Sequence, residues 1–397
     1  MEKLFETFLR KLAAVNTEFV RSIDGRIEWD ARLIGLRGAR GVGKTTLLLQ
    51  HIKQNNALDG SVLYVSLDNI WFSEHKLYDL ADNFYKHGGK TLYLDEIHRY
   101  PDWSRELKNI YDDFPELHIV FTGSSLLEIL NARADLSRRA VVYDMQGLSF
   151  REYLNISRHV CLPVTSLDDI LEKHVQIAMD MVSSVRPLQF FGEYLRSGYY
   201  PYYQEQPLLY YSRINEVVNL IIDIEMPQLR SVDIAHVNKV KNLLFAGAES
   251  APFTPNISKL SEGIGISRVS LLPDRKALED SGLTINMAKD AKGINRLQKP
   301  DKLYLENTNL MYAIAPGVPN IGCVRETFFA NQLKDSHNVC VSHQSDFLVD
   351  GKHTFEIGGH SKGYQQIDGL PDAYVVADDI ETGIGNKIPL WLFGFLY

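Results

Sequence analysis

Cysteine is scarce in this chain. Cys161, Cys323 and Cys340 are odd in number, far apart and without a CxxC pair. That argues against a disulfide-stapled scaffold and fits a reducing, cytoplasmic setting. Long apolar runs are missing as well. The longest, Ile388 to Tyr397, falls well short of the ~20 residues that span a bilayer. Positive charge is not in excess: the net charge of −8 argues against indiscriminate polyanion binding but leaves room for a local basic patch. No internal repeat or low-complexity tract is present. The N-terminus is not signal-like, because Glu2, Lys3, Glu6, Arg10 and Lys11 alternate with Leu4, Phe5, Phe8, Leu9 and Leu12 in the pattern of an amphipathic helix. What remains is ordinary globular material, 45% hydrophobic and 23% charged. A chain of 397 residues is long enough for two to four domains.

The densest signal is Gly38-Ala39-Arg40-Gly41-Val42-Gly43-Lys44-Thr45, followed by Thr46. It fits G-x-x-x-x-G-K-[ST], with an apolar strand before it and the helix-forming run Leu47-Leu48-Leu49 after it. Glycines let successive N–H groups turn inward onto phosphates, and a helix N-terminus adds partial positive charge. Lys44 is expected to reach the β- and γ-phosphates, Thr45 to hold Mg²⁺, and Arg40 to add charge. The expected ligand is ATP.

Thr91-Leu92-Tyr93-Leu94-Asp95-Glu96 reads as an apolar strand ending in two carboxylates. Asp95 would position the Mg²⁺ shell, and Glu96 would orient and deprotonate water. A glutamate directly after the aspartate is the mark of a nucleotide hydrolase. The strand His118 to Thr122 runs into Gly123-Ser124-Ser125. Its hydroxyls are placed either to sense a γ-phosphate, Ser124 first and Thr122 second, or to cap a helix. Of Arg133, Arg138 and Arg139, Arg139 is the candidate for stabilising transition-state charge. Trp103 reads as core rather than as an adenine platform. Strands alternating with helices predict a right-handed, parallel α/β sheet with helices on both faces and the named groups at strand C-terminal ends.

These motifs, with Asp102-Trp103, Leu136-Ser137-Arg138-Arg139 and Gly147-Leu148-Ser149-Phe150-Arg151-Glu152-Tyr153, resemble the bacterial and archaeal AAA-type ATPases. Within them they resemble the group that carries a C-terminal restriction-endonuclease-like domain. The resemblance implies a five-strand AAA+ core with the sensor strand between the P-loop and Walker B strands. Members commonly have Gly-Arg where this chain has Arg138-Arg139, which leaves open which arginine acts.

Beyond residue 155, Leu167 to Val185 and Tyr210 to Met226 read as helices around an aromatic cluster, Phe190 to Tyr203. With little Lys or Arg interleaved, that cluster reads as packing rather than base stacking. Helices over 233–246, 257–262 (with Asn256 as its candidate cap) and from the cap Ser267 to 281, then strands at 283–287 and 303–305, spell a winged helix. Between 236 and 307 stand eleven Lys/Arg against eight Asp/Glu. Lys289, Lys292, Arg296, Lys299 and Lys302 lie on the wing, where they could neutralise phosphates of double-stranded DNA. Pro273 in the third helix counts against a straight recognition helix, and a protein-contact role stands equally open.

Ser345 to Glu356 reads as a hairpin turning at Asp350-Gly351. The nuclease resemblance implies a second Mg²⁺ site at Glu326, Asp346 and Glu356. It also implies a degenerate one, since Gly358 holds the lysine position; Lys362 and His360 are the substitutes in reach. A three-residue loop puts Asp346 and Glu356 on one face, and a two-residue turn puts them on opposite faces.

The expected organisation is an AAA+ type P-loop domain over 1–155, a helical linker or lid over 156–231, a winged helix over 232–320 and a small α+β nuclease-like domain over 321–397. The expected function is Mg²⁺-dependent ATP hydrolysis moving the later domains on DNA, with homo-oligomerisation possible and no membrane partner. The alternatives are a nucleotide-controlled protein-interaction switch and a nuclease regulated by its P-loop.

Overall fold

Short runs of Leu, Ile, Val and Tyr without polar alternation suit strands buried on both faces, the environment of a parallel sheet. The computed structural model describes residues 1–124, 136, 138–230, 234–249, 268–289 and 302–397. The chain divides into two compact units, Met1–Gly147 and Leu148–Tyr397.

In the first unit, β1 (Leu33–Arg37), β2 (Val62–Ser66), β3 (Thr91–Asp95), β4 (His118–Gly123) and β5 (Val141–Asp144) form one sheet in the order β2-β3-β4-β1-β5. Every neighbouring pair is parallel. The strand ending in hydroxyls thus lies between the P-loop strand and the carboxylate strand, as expected from the resemblance. Leu36 pairs with Thr122 and Leu94 with Phe121, so the C-terminal ends of β1, β4 and β3 open side by side. Gly35 in β1 is required by packing: a Cβ there would stand 2.6 Å from the Phe121 ring.

The flanking helices are α1 (Glu2–Ala14), α2 (Lys44–Asn55), α3 (Leu77–Lys86) and α4 (Trp103–Asp113). In α1, Leu4, Phe8 and Leu12 are buried at helical spacing, and the Phe8 ring packs on Tyr64 at 6.3 Å between centroids. Trp103 is buried against Phe121, in keeping with its reading as core.

The second unit begins with α5 (Phe150–Arg158), capped by a reciprocal Ser149–Glu152 box, followed by α6 (Leu167–Val185), α7 (Leu188–Ser197) and α8 (Tyr210–Leu220). The aromatic cluster is core: Phe191, Tyr194, Tyr199, Tyr200 and Tyr210 are all buried. The expected helix over 210–226 is interrupted by a π turn at Ile221–Glu225 before Met226–Arg230. Then come α9 (Ile234–Glu249), α10 (Arg268–Asp280, with Pro273 inside it) and the antiparallel pair β6 (Thr284–Met287) and β7 (Lys302–Leu305). The predicted helix at 257–262, Arg133, and the wing residues Lys292, Arg296 and Lys299 lie outside the described residues.

After α11 (Thr308–Ile314) and α12 (Ile321–Leu333), strands β8 (Val339–Val341), β9 (Phe347–Val349), β10 (His353–Gly358), β11 (Ala373–Ala377) and β12 (Lys387–Pro389) make a mixed sheet ordered β12-β11-β10-β9-β8. The β9–β10 hairpin pairs Val349 with His353 and Phe347 with Phe355. Its loop is therefore Asp350-Gly351-Lys352, three residues long but one position later than a loop of Val349-Asp350-Gly351. Asp350 and Gly351 both take positive φ, at 54° and 66°, which Asp and Gly tolerate best. The odd loop length puts Asp346 and Glu356 on one face. Among the described residues, no helix is long and apolar enough to cross a membrane.

Candidate nucleotide site

The loop between β1 and α2 is shaped by its glycines. Gly41 and Gly43 have φ of 81° and 100°, a region where side chains are strained. Gly38 cannot carry a Cβ, which would meet the Met145 carbonyl oxygen at 2.4 Å. Arg21 braces the loop by donating to the Val42 carbonyl at 2.7 Å and to the Gln146 and Gly147 carbonyls at 2.9 and 2.7 Å. Sequence reading missed Arg21, because its spacing to the loop belongs to no motif. Lys44 Nζ donates to the Gly38 and Ala39 carbonyls at 2.8 and 2.9 Å. Burial lowers its pKa to about 8, against the opposing pull of Glu96 and Asp95. A buried ammonium in a glycine-shaped loop at a helix N-terminus suits a multiply charged anion.

Asp95 is buried at the end of β3 and collects three hydroxyls. Thr45 Oγ1 donates to Oδ2 at 2.7 Å, Tyr64 donates to the same oxygen at 2.6 Å, and Thr122 donates to Oδ1. Burial and the Asp95 charge push the Tyr64 phenol far above its ordinary range, so it stays a donor. A carboxylate and a threonine hydroxyl at this spacing are hard oxygen donors of the kind Mg²⁺ takes alongside phosphate.

Glu96 adopts left-handed backbone angles, φ 51° and ψ 44°. For a non-glycine residue that is strain of about 1–2 kcal/mol. The bend turns its N–H onto Thr122 Oγ1 at 3.1 Å and its carboxylate onto Ser124, whose hydroxyl donates at 3.0 Å. His98 Nε2 stands 3.4 Å from both Glu96 Oε2 and Ser124 Oγ. Burial, then the charge of Arg40, lowers the His98 pKa to about 3. Its contact with Glu96 is thus that of a neutral ring, with Nδ1 buried and unpartnered. His98 was not legible in the sequence. It sits in a short turn, Ile97–Arg99, with no periodicity to mark it.

Thr45, Asp95, Thr122, Glu96 and Ser124 are therefore one hydrogen-bonded group, with Lys44 adjoining it in the loop. Arg139 is placed elsewhere, forming a two-pronged pair with Asp112 at 3.0 Å on each bond. Residues 30–154 match the family model of an AAA domain. With its sheet order, the first unit has an AAA-type, P-loop ATPase-like fold. The chain is 28% identical over 296 residues to an uncharacterized protein of Methanocaldococcus jannaschii, covering 71% of this chain and 62% of that relative's length. Solved structures similar to it include the Walker-type ATPase PABY2304 of Pyrococcus abyssi, with TM-score 0.39 and 11% identity over 72% of this chain and 91% of that one. Another is the Aeropyrum pernix Orc1 protein in complex with DNA, with TM-score 0.28 and 15% identity over 78% and 91%.

In the second unit, Glu326 (on α12) and Asp346 (before β9) share one lysine, and Glu356 (on β10) pairs with another. Lys302 Nζ lies 3.2 Å from Glu326 Oε2 and 3.5 Å from Asp346 Oδ1, and Lys362 pairs with Glu356. Among the described residues, no group of three or more His, Cys, Asp or Glu is arranged to hold a metal ion. Lys302, expected as a phosphate-facing wing cation, is committed to these carboxylates.

Proposed function

We propose that the first unit binds ATP with Mg²⁺ and hydrolyses it, and that the nucleotide state moves the winged-helix and nuclease-like parts of the second unit on double-stranded DNA in the cytoplasm. The observation that carries the proposal is the connected group linking the P-loop to the β3 and β4 termini through Thr45, Asp95, Glu96 and Ser124. Residues 38–46 cradle the phosphates, with Lys44 turning from its loop carbonyls to the β- and γ-oxygens. Thr45 and Asp95 would hold Mg²⁺, which neutralises phosphate charge. Glu96 accepts a proton as water oxygen bonds to the γ-phosphorus. The bond from that phosphorus to the β–γ bridging oxygen breaks, and ADP leaves with the electron pair. Ser124 and His98 keep the carboxylate aimed. Arg139 would leave Asp112 to reach a γ-phosphate, in its own subunit or across a homo-oligomer boundary.

The test compares wild type with Glu96→Gln. The reading requires ATP binding to persist while turnover falls by roughly 10²-fold or more. Unchanged turnover would remove Glu96 as the base.

Lys302 favours a second reading, in which the nucleotide state controls a protein contact instead. Its pairing with Glu326 and Asp346 subtracts a cation from the surface that DNA would need. DNA affinity measured against salt separates the two. A steep slope supports DNA, and absence of binding supports the protein contact.

A further inference from the structure

The cluster around Glu326 contains its own cations. Lys302 and Tyr304 alternate along β7 and so share a face. Lys302 Nζ contacts Glu326 and Asp346, and the Tyr304 hydroxyl donates to Glu326 Oε2 at 2.6 Å. Both side chains also pack on Phe347 of β9, Lys302 Nζ at 5.7 Å from the ring centre and Tyr304 at 5.8 Å between centroids. The other oxygen of Asp346 accepts from the Ile357 N–H at 2.9 Å. Glu356, directly opposite Asp346 in the hairpin register, accepts from the Ser345 hydroxyl at 2.7 Å and pairs with Lys362. The stem of Lys362 fills the room a side chain at position 358 would need, since a Cβ on Gly358 would fall 2.6 Å from Lys362 Cγ. Burial and the nearby Asp346 charge raise the Glu326 pKa, the response of crowded acids that depend on a neighbouring cation.

These contacts do not suit a divalent ion. Such an ion coordinates carboxylate oxygens directly at ~2.0–2.6 Å, and here an ammonium already sits between the two carboxylates while the third has its own. We propose that Lys302 takes the place of a divalent ion between Glu326 and Asp346, making this carboxylate set a metal-free joint that fastens the β6–β7 hairpin to α12 and the β8–β12 sheet of the same unit. The joint does not depend on ATP hydrolysis by the first unit. It predicts that hairpin position, not metal-assisted cleavage, is what these acids serve.

The experiment is Mn²⁺ binding to the full chain without nucleotide, followed by electron paramagnetic resonance, for wild type, Lys302→Met and Lys302→Arg. Asp346→Asn in each background assigns any bound ion to this cluster. Wild type and Lys302→Arg are expected to show no Mn²⁺ that Asp346→Asn removes, and Lys302→Met is expected to gain one such ion. A wild-type Mn²⁺ ion lost on Asp346→Asn overturns the proposal, and so does a folded Lys302→Met protein that gains none. Should Lys302→Met fail to fold, wild-type melting decides. No Tm change between millimolar Mn²⁺ and chelator supports the joint, and a rise absent from Asp346→Asn overturns it.

Discussion

Thr45 Oγ1 donates to Asp95 Oδ2 across 2.7 Å, tying the first turn of α2 to the end of β3. In the proposed reaction this pair is where Mg²⁺ is received, and the same oxygen also takes the Tyr64 hydroxyl. Asp95→Asn keeps the size of the group but removes its charge. ATP turnover is expected to fall about 10²-fold or more, and the Mg²⁺ concentration for half-maximal activity to rise. Tyr64→Phe should change both far less, by a few-fold, because it removes one of three donors. Equal losses in the two variants would show that Asp95 acts through its hydrogen bonds alone.

Lys44 gives a pH dependence with a definite sign. Its pKa of about 8 in the ligand-free cradle is raised when a phosphate anion binds, because the anion favours the charged ammonium. Below about pH 8 the group is already protonated and ATP affinity is flat. Above it, binding must take up a proton, and affinity weakens by up to about tenfold per pH unit. Fluorescent ATP-analogue titrations between about pH 6 and 10 check this, with Lys44→Arg as the reference. Arginine does not titrate there, so a limb that persists in Lys44→Arg would assign the effect to another group.

His98 is buried and neutral, with a pKa of about 3, beside the carboxylate proposed as the base. Its role is to position, so His98→Ala should lower kcat by roughly tenfold while leaving KM for ATP nearly unchanged. Glutamine, which keeps an N–H in reach, should restore most of it. No limb in the kcat profile above about pH 5 should belong to this ring. Its depressed pKa also means that stability is lost as pH falls below the ordinary histidine value toward 3, because the unfolded chain binds the proton first. His98→Gln is expected to flatten that acid limb in thermal melts. A KM effect without a kcat effect would exclude positioning.

How much of this could be read from the chain depends on whether a group acts within its own segment. Gly38 to Thr45 and Asp95-Glu96 announce themselves because phosphate cradles and Walker B strands are local patterns. The parity of the β9–β10 loop was not legible: the turn at Asp350-Gly351 left a two- or three-residue loop open until the pairing of Val349 with His353 decided it. Tyr64 looked like one more buried strand residue, because its contact with Asp95 exists only once β2 pairs with β3. Arg139 was chosen from its place in a turn, whereas its partner Asp112 lies on α4. Lys302 looked like a wing cation until β7 put it beside Glu326. Each of these three depends on which elements become neighbours, and composition or spacing does not encode that.

Asn309 tests the same principle in the second unit. It is fully buried and uses both ends of its amide. Its Oδ1 accepts from the Tyr199 N–H at 2.8 Å and from the Tyr210 hydroxyl, and its Nδ2 donates to the Tyr194 and Leu195 carbonyls at 3.1 and 2.9 Å. Asn309→Ala would strand two donors and the Leu195 carbonyl where water has no access, while the Tyr194 carbonyl keeps the Gly198 N–H at 2.8 Å. At about 1–3 kcal/mol for each unsatisfied group, with partial relaxation, the loss is expected to be about 3–5 kcal/mol, against ~1 kcal/mol for an average point substitution. Asn309→Asp keeps the acceptor side but turns the donor side into a buried negative charge facing two carbonyls, so it should be at least as harmful. Urea unfolding of the second unit, followed through its tyrosine fluorescence, measures both. A loss below about 1 kcal/mol in Asn309→Ala would mean that the aromatic packing alone, without this amide, holds α7, α8 and α11 together.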